Sequence, residues 1–117
     1  MKKFATSQLD QIISDRRLKL EEEREEMLRK TQAWLEEFAT EYGIEKAYIF
    51  GSVTRPGKFH QNSDVDLAVE QIKPEKYCLA ISLLSAHLQR EVDVIELEKC
   101  HFSDRLRQTG ILWTKTV

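Results

Sequence analysis

A single small α/β (α+β) domain, with a mixed sheet of about four strands flanked by helices and a long helical extension in front, follows from three features of this 117-residue chain. The first forty residues contain neither Gly nor Pro and are dense in the helix formers Glu, Arg, Lys, Gln and Leu. Beyond residue 43, short apolar and β-branched runs alternate with segments of helical period. Gly, Pro, Asn and Ser collect between those runs, where turns belong. The predicted order is α, β, β, α, β, α, β, with a helical extension over 1–42 and one globular unit over 43–117.

In the first helix, Ser7 is placed as an N-cap, Leu9, Ile12 and Ile13 begin an apolar face, and Gly43 after Tyr42 supplies the stop. Ile13, Leu20, Met27 and Trp34 recur every seven residues, the mark of a seam along a partner helix. The positions between them are Arg16 or Arg17, Glu23 or Arg24, and Lys30 or Thr31. That pattern favours a helix buried at its two ends over a sustained coiled coil. The acidic residues between 21 and 26 read as a solvated face.

Ala47-Tyr48-Ile49-Phe50 reads as a buried strand running into a tight Gly51-Ser52 turn. A loop rich in turn formers follows, through Arg55-Pro56-Gly57 and His60-Gln61-Asn62-Ser63. Asp64-Val65-Asp66-Leu67-Ala68-Val69 then alternates with the two-residue period of a strand. Pro74 opens a helix whose apolar stripe is Tyr77, Ile81, Leu84 and Leu88. Val92-Asp93-Val94-Ile95 forms a third strand, a short helix spans 103–108 before Gly110, and Ile111-Leu112-Trp113-Thr114 forms the last strand.

Composition narrows the function. Hydrophobic residues make up 41% of the chain, enough for one core and no separate substrate domain. Eighteen basic residues against twenty acidic ones give a net charge of −2, so no overall positive field exists to hold a nucleic-acid backbone, and no direct nucleic-acid contact is expected. No apolar run approaches the roughly 20 residues of a membrane span, and no secretory signal is visible, so a cytoplasmic location is expected. Cys78, Cys100 and the adjacent His101 lack the further ligands that a zinc site needs.

The chemistry sits in the acids. Residues two apart in a strand project to one side, so Asp64 and Asp66 share a small volume in which two like charges repel. Divalent magnesium relieves that repulsion and takes phosphate oxygens besides, and two such ions clamp the attacking and leaving oxygens of a phosphoryl-type displacement. Asp93, a lone acid in a β-branched run, is costly to bury without a partner. A neighbouring strand carrying Asp64 and Asp66 lets one metal site satisfy all three, with Asp93 placed to accept a proton from an attacking hydroxyl. Gly51 lets a phosphate approach bare backbone amides and Ser52 adds a hydroxyl donor. Arg55 and Lys58 in the following loop are candidates to neutralise the departing phosphates. A P-loop reading of 51–59 fails: the second glycine comes one residue late and Phe59 stands where Ser or Thr would bind magnesium.

The ordered set of a strand with Gly51-Ser52, eleven intervening residues, Asp64-Val65-Asp66-Leu67, and Val92-Asp93-Val94 resembles the signature of the DNA polymerase beta type nucleotidyltransferase superfamily. A chain this short resembles its MNT group, the minimal nucleotidyltransferases commonly paired with a HEPN-domain toxin. That resemblance covers residue 44 to the end, and the segment from Leu106 to Trp113 is similar to the family's closing helix-Gly-strand element. It implies a polymerase-beta-like fold, magnesium ligands at Asp64, Asp66 and Asp93, phosphate binding at Gly51 and Ser52, and ATP as substrate. It also implies an antitoxin that transfers AMP to a tyrosine of a HEPN RNase. The family often has an Arg-rich run after Gly-Ser; here Val53-Thr54-Arg55-Pro56 provides a single counterpart in Arg55. The resemblance says nothing of the first forty residues, which are expected to contact a partner or a second copy.

Overall fold

The computed structural model describes residues 2–115, with side chains from residue 7 onward; the outermost positions of the two predicted units, 1 and 116–117, lie outside it. The elements are α1 (Lys2–Tyr42), β1 (Lys46–Phe50), β2 (Val65–Val69), α2 (Tyr77–Leu88), β3 (Val92–Glu96), α3 (Ser103–Thr109) and β4 (Ile111–Thr114). The order is the predicted one, and the strands form one mixed sheet in the order β3-β2-β1-β4. β1 runs antiparallel to β2 and β4, and β2 runs parallel to β3 across the α2 crossover.

Helix α1 is one continuous element. Ser7 lies inside it rather than at its N-cap, because helix continues through to Lys2. Its end is the predicted one: Gly43 adopts φ 76° while Ile44 N–H bonds Ala39 O and Gly43 N–H bonds Thr40 O, the paired bonds of a Schellman stop. Forty-one residues at about 1.5 Å each account for the 62 Å long axis of the molecule, against 27 and 25 Å across. The radius of gyration, 17.3 Å, exceeds the roughly 13 Å of a compact chain of about 100 residues, so much of the helix projects.

Burial is confined to its second half. Arg24, Met27, Thr31, Trp34, Leu35, Ala39 and Tyr42 are buried, whereas Leu9, Ile12 and Ile13 remain 57%, 49% and 40% exposed. The expectation of burial at both ends is therefore corrected: the sheet offers apolar surface only to the half of α1 that reaches it. Packing also crosses the expected boundary at residue 42, since Trp34, Leu35 and Ala39 share one core with Ile49, Leu67 and Val94. Trp34 stacks on Tyr42 at 5.4 Å, and Trp113 donates its indole N–H to Glu36 at 2.6 Å, fastening β4 to the helix.

The sheet has two unlike faces. Ala47, Ile49, Val65, Leu67, Val69, Val92 and Val94 join the core with α1 and α2. The other face is half covered, by α3 seating Leu106 on Tyr48, Ala68 and Leu97. Arg107 locks α3 in place with a forked contact to Glu70, as short as 2.6 Å. Beyond α3 the face is open, and the acids lie there. No helix among the described residues is long and apolar enough to cross a membrane.

Candidate active site

Strand register brings the acids together. Asp66 is the partner of Phe50 on β1 and of Asp93 on β3, so the three side chains stand in a row on the face that α3 leaves open. Asp64 falls just ahead of β2 rather than within it, at the end of the loop. Burial, then Asp93, then Asp64 push the Asp66 carboxyl above its ordinary range, so the three acids act on a common volume.

Two expectations need correction. Asp93 is exposed on the edge strand β3, so no burial penalty forces a partner on it. Its place in the site comes from register. Nor do the acids form a closed cage: among the described residues no group of three or more His, Cys, Asp or Glu side chains is arranged to hold an ion. The donor set still fits magnesium, which takes one or two carboxylates and completes its shell with water and substrate phosphate. Asp64, Asp66 and Asp93 make no ion pair or hydrogen bond among the described residues, and Asp66 is held partly buried with no cation beside it. When bound, magnesium would be held by one or two of these carboxylates and would polarise the phosphoryl oxygens.

Gly51 is required where it stands. Its φ is 80°, and a Cβ there would lie 2.3 Å from Oδ2 of Asp66. The missing side chain thus admits the Asp66 carboxylate against the backbone of the turn. The segment Ser52–Thr54 then makes one 3-10 turn, closed by Thr54 N–H and hydroxyl donating to Gly51 O. The first amides of such a turn have no acceptor within it. Arg55 lines a cavity with Gly51, which brings it to the site. Lys58 is exposed in the same loop, between Gly57, whose N–H bonds Glu21, and Phe59, which lies under Arg90.

The loop between Ser52 and Asp64 is held by residues that sequence reasoning passed over. Arg24, buried in α1, donates to the carbonyl of Val53 at 3.1 Å and pairs with Glu21. Glu21 accepts the Gly57 N–H at 2.7 Å, and this bond first, the Arg24 bond second, holds its carboxyl below its ordinary range. Arg90 lies 4.4 Å over the Phe59 ring, donates to the carbonyls of Gln61 and Ser63, and reaches Glu23 at 3.5 Å. The acidic run is therefore a clamp along one side, not solely a solvated face. The available signal was Arg24 at a seam position of an apolar stripe, one turn after Glu21. Tyr77 adds a tie from α2, donating its hydroxyl to the carbonyl of Val94 beside Asp93.

Arg24→Met should cost about 2 kcal/mol of stability, because it leaves a buried carbonyl without its donor. Urea unfolding of the full chain measures this; a loss under about 0.5 kcal/mol, the scale of a neutral surface change, would remove the clamp.

A carboxylate row set against a glycine turn on an open sheet face defines the class, a phosphate-handling transferase domain. The sequence profile described as polymerase beta, nucleotidyltransferase matches residues 33–115, and the chain belongs to that family. It is a nucleotidyltransferase domain of the superfamily that the motifs resemble. No curated protein and no solved structure matches it. The matched span begins inside α1, so Glu21, Glu23 and Arg24 lie ahead of it while gripping the turn after Gly51 and the loop that follows.

Proposed function

We propose that this chain is a cytoplasmic antitoxin that transfers AMP from ATP to a tyrosine hydroxyl of a cognate HEPN-domain RNase toxin, with magnesium at Asp64, Asp66 and Asp93. The observation that carries the reading is the row of Asp66 and Asp93 beside Gly51 on an uncovered face. The acceptor oxygen attacks the α-phosphorus, its proton passes to Asp93, and the bond to the bridging oxygen breaks so that pyrophosphate leaves toward Ser52 and Arg55. The open face gives a protein partner room to bring its own hydroxyl.

A second reading, neutralisation by complex formation alone, is favoured by a different observation. Leu9, Ile12 and Ile13 lie exposed at the projecting end of the stripe that buries Met27 and Trp34 farther along. On this reading the stripe docks the partner and the acids are idle.

Two measurements separate the readings: transfer of label from α-labelled ATP to the cognate partner, and toxin neutralisation in cells. The enzyme reading expects labelled partner with wild type and lost neutralisation with Asp66→Asn. The binder reading expects neutralisation to survive Asp66→Asn and to vanish when Leu9, Ile12 and Ile13 are all changed to Ser. Absence of label on the partner together with neutralisation by Asp66→Asn would sink the enzyme reading.

A further inference from the structure

Between α3 and the Gly51 turn lies a cavity of about 410 Å³, lined chiefly by Phe50, Gly51, Arg55, Phe102, Arg105 and Thr109. Its size falls within the roughly 300–1,000 Å³ of small-molecule sites. Two features of its lining are unexplained by the fold. Phe102 is a large aromatic left 52% exposed, although Leu106 one turn along α3 is buried in the sheet. Arg55 and Arg105 make no ion pair among the described residues, whereas Arg24, Arg90 and Arg107 are each tied to a carboxylate. An exposed ring, two free guanidinium groups and a threonine hydroxyl around a glycine backbone form the lining of a site for a flat, anionic ligand.

We infer that the nucleoside of the substrate triphosphate lies in this cavity, its base stacked on Phe102 and its phosphates reached by Arg55 and Arg105. The inference rests on the nucleotidyl-transfer reading of the adjoining acids. Sidedness places the departing phosphates. Asp93, the proton acceptor, stands on the outer strand β3 on one side of Asp66, and the cavity opens on the other, along β1 and Gly51. In an in-line displacement the attacking oxygen and the leaving group take opposite sides of phosphorus. The acceptor therefore enters past Asp93 and pyrophosphate departs on the cavity side past Arg55 and Arg105. The nucleoside, carried on an oxygen of phosphorus that does not react, is assigned to the cavity by the exposed Phe102 ring. The position of Phe102 is set by the framework: Leu106 and the Arg107–Glu70 fork fix α3. Gly110 closes it against β1, where an added Cβ would come within 2.9 Å of the Tyr48 Cβ.

The test uses the full chain with magnesium and two probes, α,β-methylene-ATP and inorganic tripolyphosphate, by calorimetric titration. Phe102→Ala should weaken the nucleotide analogue about tenfold or more, since base–aromatic stacking contributes about 1–3 kcal/mol, and leave tripolyphosphate binding unchanged. Phe102→Trp should restore the analogue's affinity and lose fluorescence when it binds; the native Trp34 and Trp113 are buried elsewhere. Arg105→Ala should weaken both probes. Equal analogue affinity in wild type and Phe102→Ala overturns the inference, including the case where Phe102→Ala instead raises the KM for the protein acceptor. A wild-type chain that binds neither probe overturns the transfer reading itself, and the assignment of this cavity falls with it. Melting temperatures within about 2 °C of wild type, under the shift that about 1 kcal/mol produces in a domain of this size, confirm that the half-exposed position tolerates the changes.

Discussion

Asp66→Asn is expected to lower nucleotidyl transfer by about a thousandfold or more while making the metal-free chain more stable at neutral pH. The first part follows from the position of Asp66 between Phe50 and Asp93, with Asp64 close enough to raise its pKa. A ligated divalent cation supplies several kcal/mol of charge stabilisation at phosphorus, and each 1.36 kcal/mol is a factor of ten. Asn keeps the shape and removes the charge that holds the ion. The second part follows from the same crowding. Because burial, Asp93 and Asp64 raise the folded-state pKa of Asp66, the folded chain retains a proton that the unfolded chain has released. That contribution is fully present below the ordinary aspartate value near 3.9 and is lost as pH rises through the raised value. Without magnesium, wild-type stability should therefore fall relative to Asp66→Asn over that window. At pH 7 the metal-free variant should melt above wild type, as relief of a strained functional site generally stabilises. Thermal unfolding in EDTA as a function of pH checks it; added magnesium and nucleotide should reverse the order by mass action. Transfer activity within tenfold of wild type in Asp66→Asn would show that the row is not the reacting centre.

Gly51→Ala should be the most disruptive single methyl group in the chain. The backbone there has φ 80° and ψ −158°, a region essentially reserved for glycine and costing an L-residue roughly 1–3 kcal/mol, and the new Cβ would stand 2.3 Å from the Asp66 carboxylate. Either the turn or the carboxylate must move, so destabilisation of about 2–4 kcal/mol should come with loss of transfer. Gly57→Ala is the matched control. Gly57 has φ 79° but nothing within 4 Å of its Cβ position, and its N–H to Glu21 survives the change. It should cost only the backbone term and leave most activity intact. Equal stability and equal transfer in the two variants would mean that the contact between Gly51 and Asp66 plays no part in the site.

The elements were readable because their signals are local. The absence of Gly and Pro from the first forty residues, the stop at Gly43, the short apolar or β-branched runs around Ile49 and Val94, and the period-two run around Leu67 each reflect contacts within a few residues. The start of α1 was misplaced at Ser7 because a good capping residue inside a strongly helical stretch is simply carried along. Arg24 looked like an interruption of a seam. It is a buried partner of Val53, twenty-nine residues away, and no local rule pairs them. The same holds for Arg90 above Phe59 and for Phe102 and Arg105 facing Gly51 across a cavity.

By itself the amino-acid order determined which side chains carry charge and hydroxyl groups and in what order the secondary elements follow one another, since side-chain identity and periodicity are properties of neighbours along the chain. Only the tertiary structure decided that β2 and β3 pair with Asp66 level with Asp93, that α3 leaves that row uncovered, and that a helix lying mostly ahead of the family domain grips the turn after Gly51. Those outcomes depend on register and on packing between distant segments. A shift of one residue in the pairing would turn Asp93 to the opposite face while leaving the local sequence pattern unchanged.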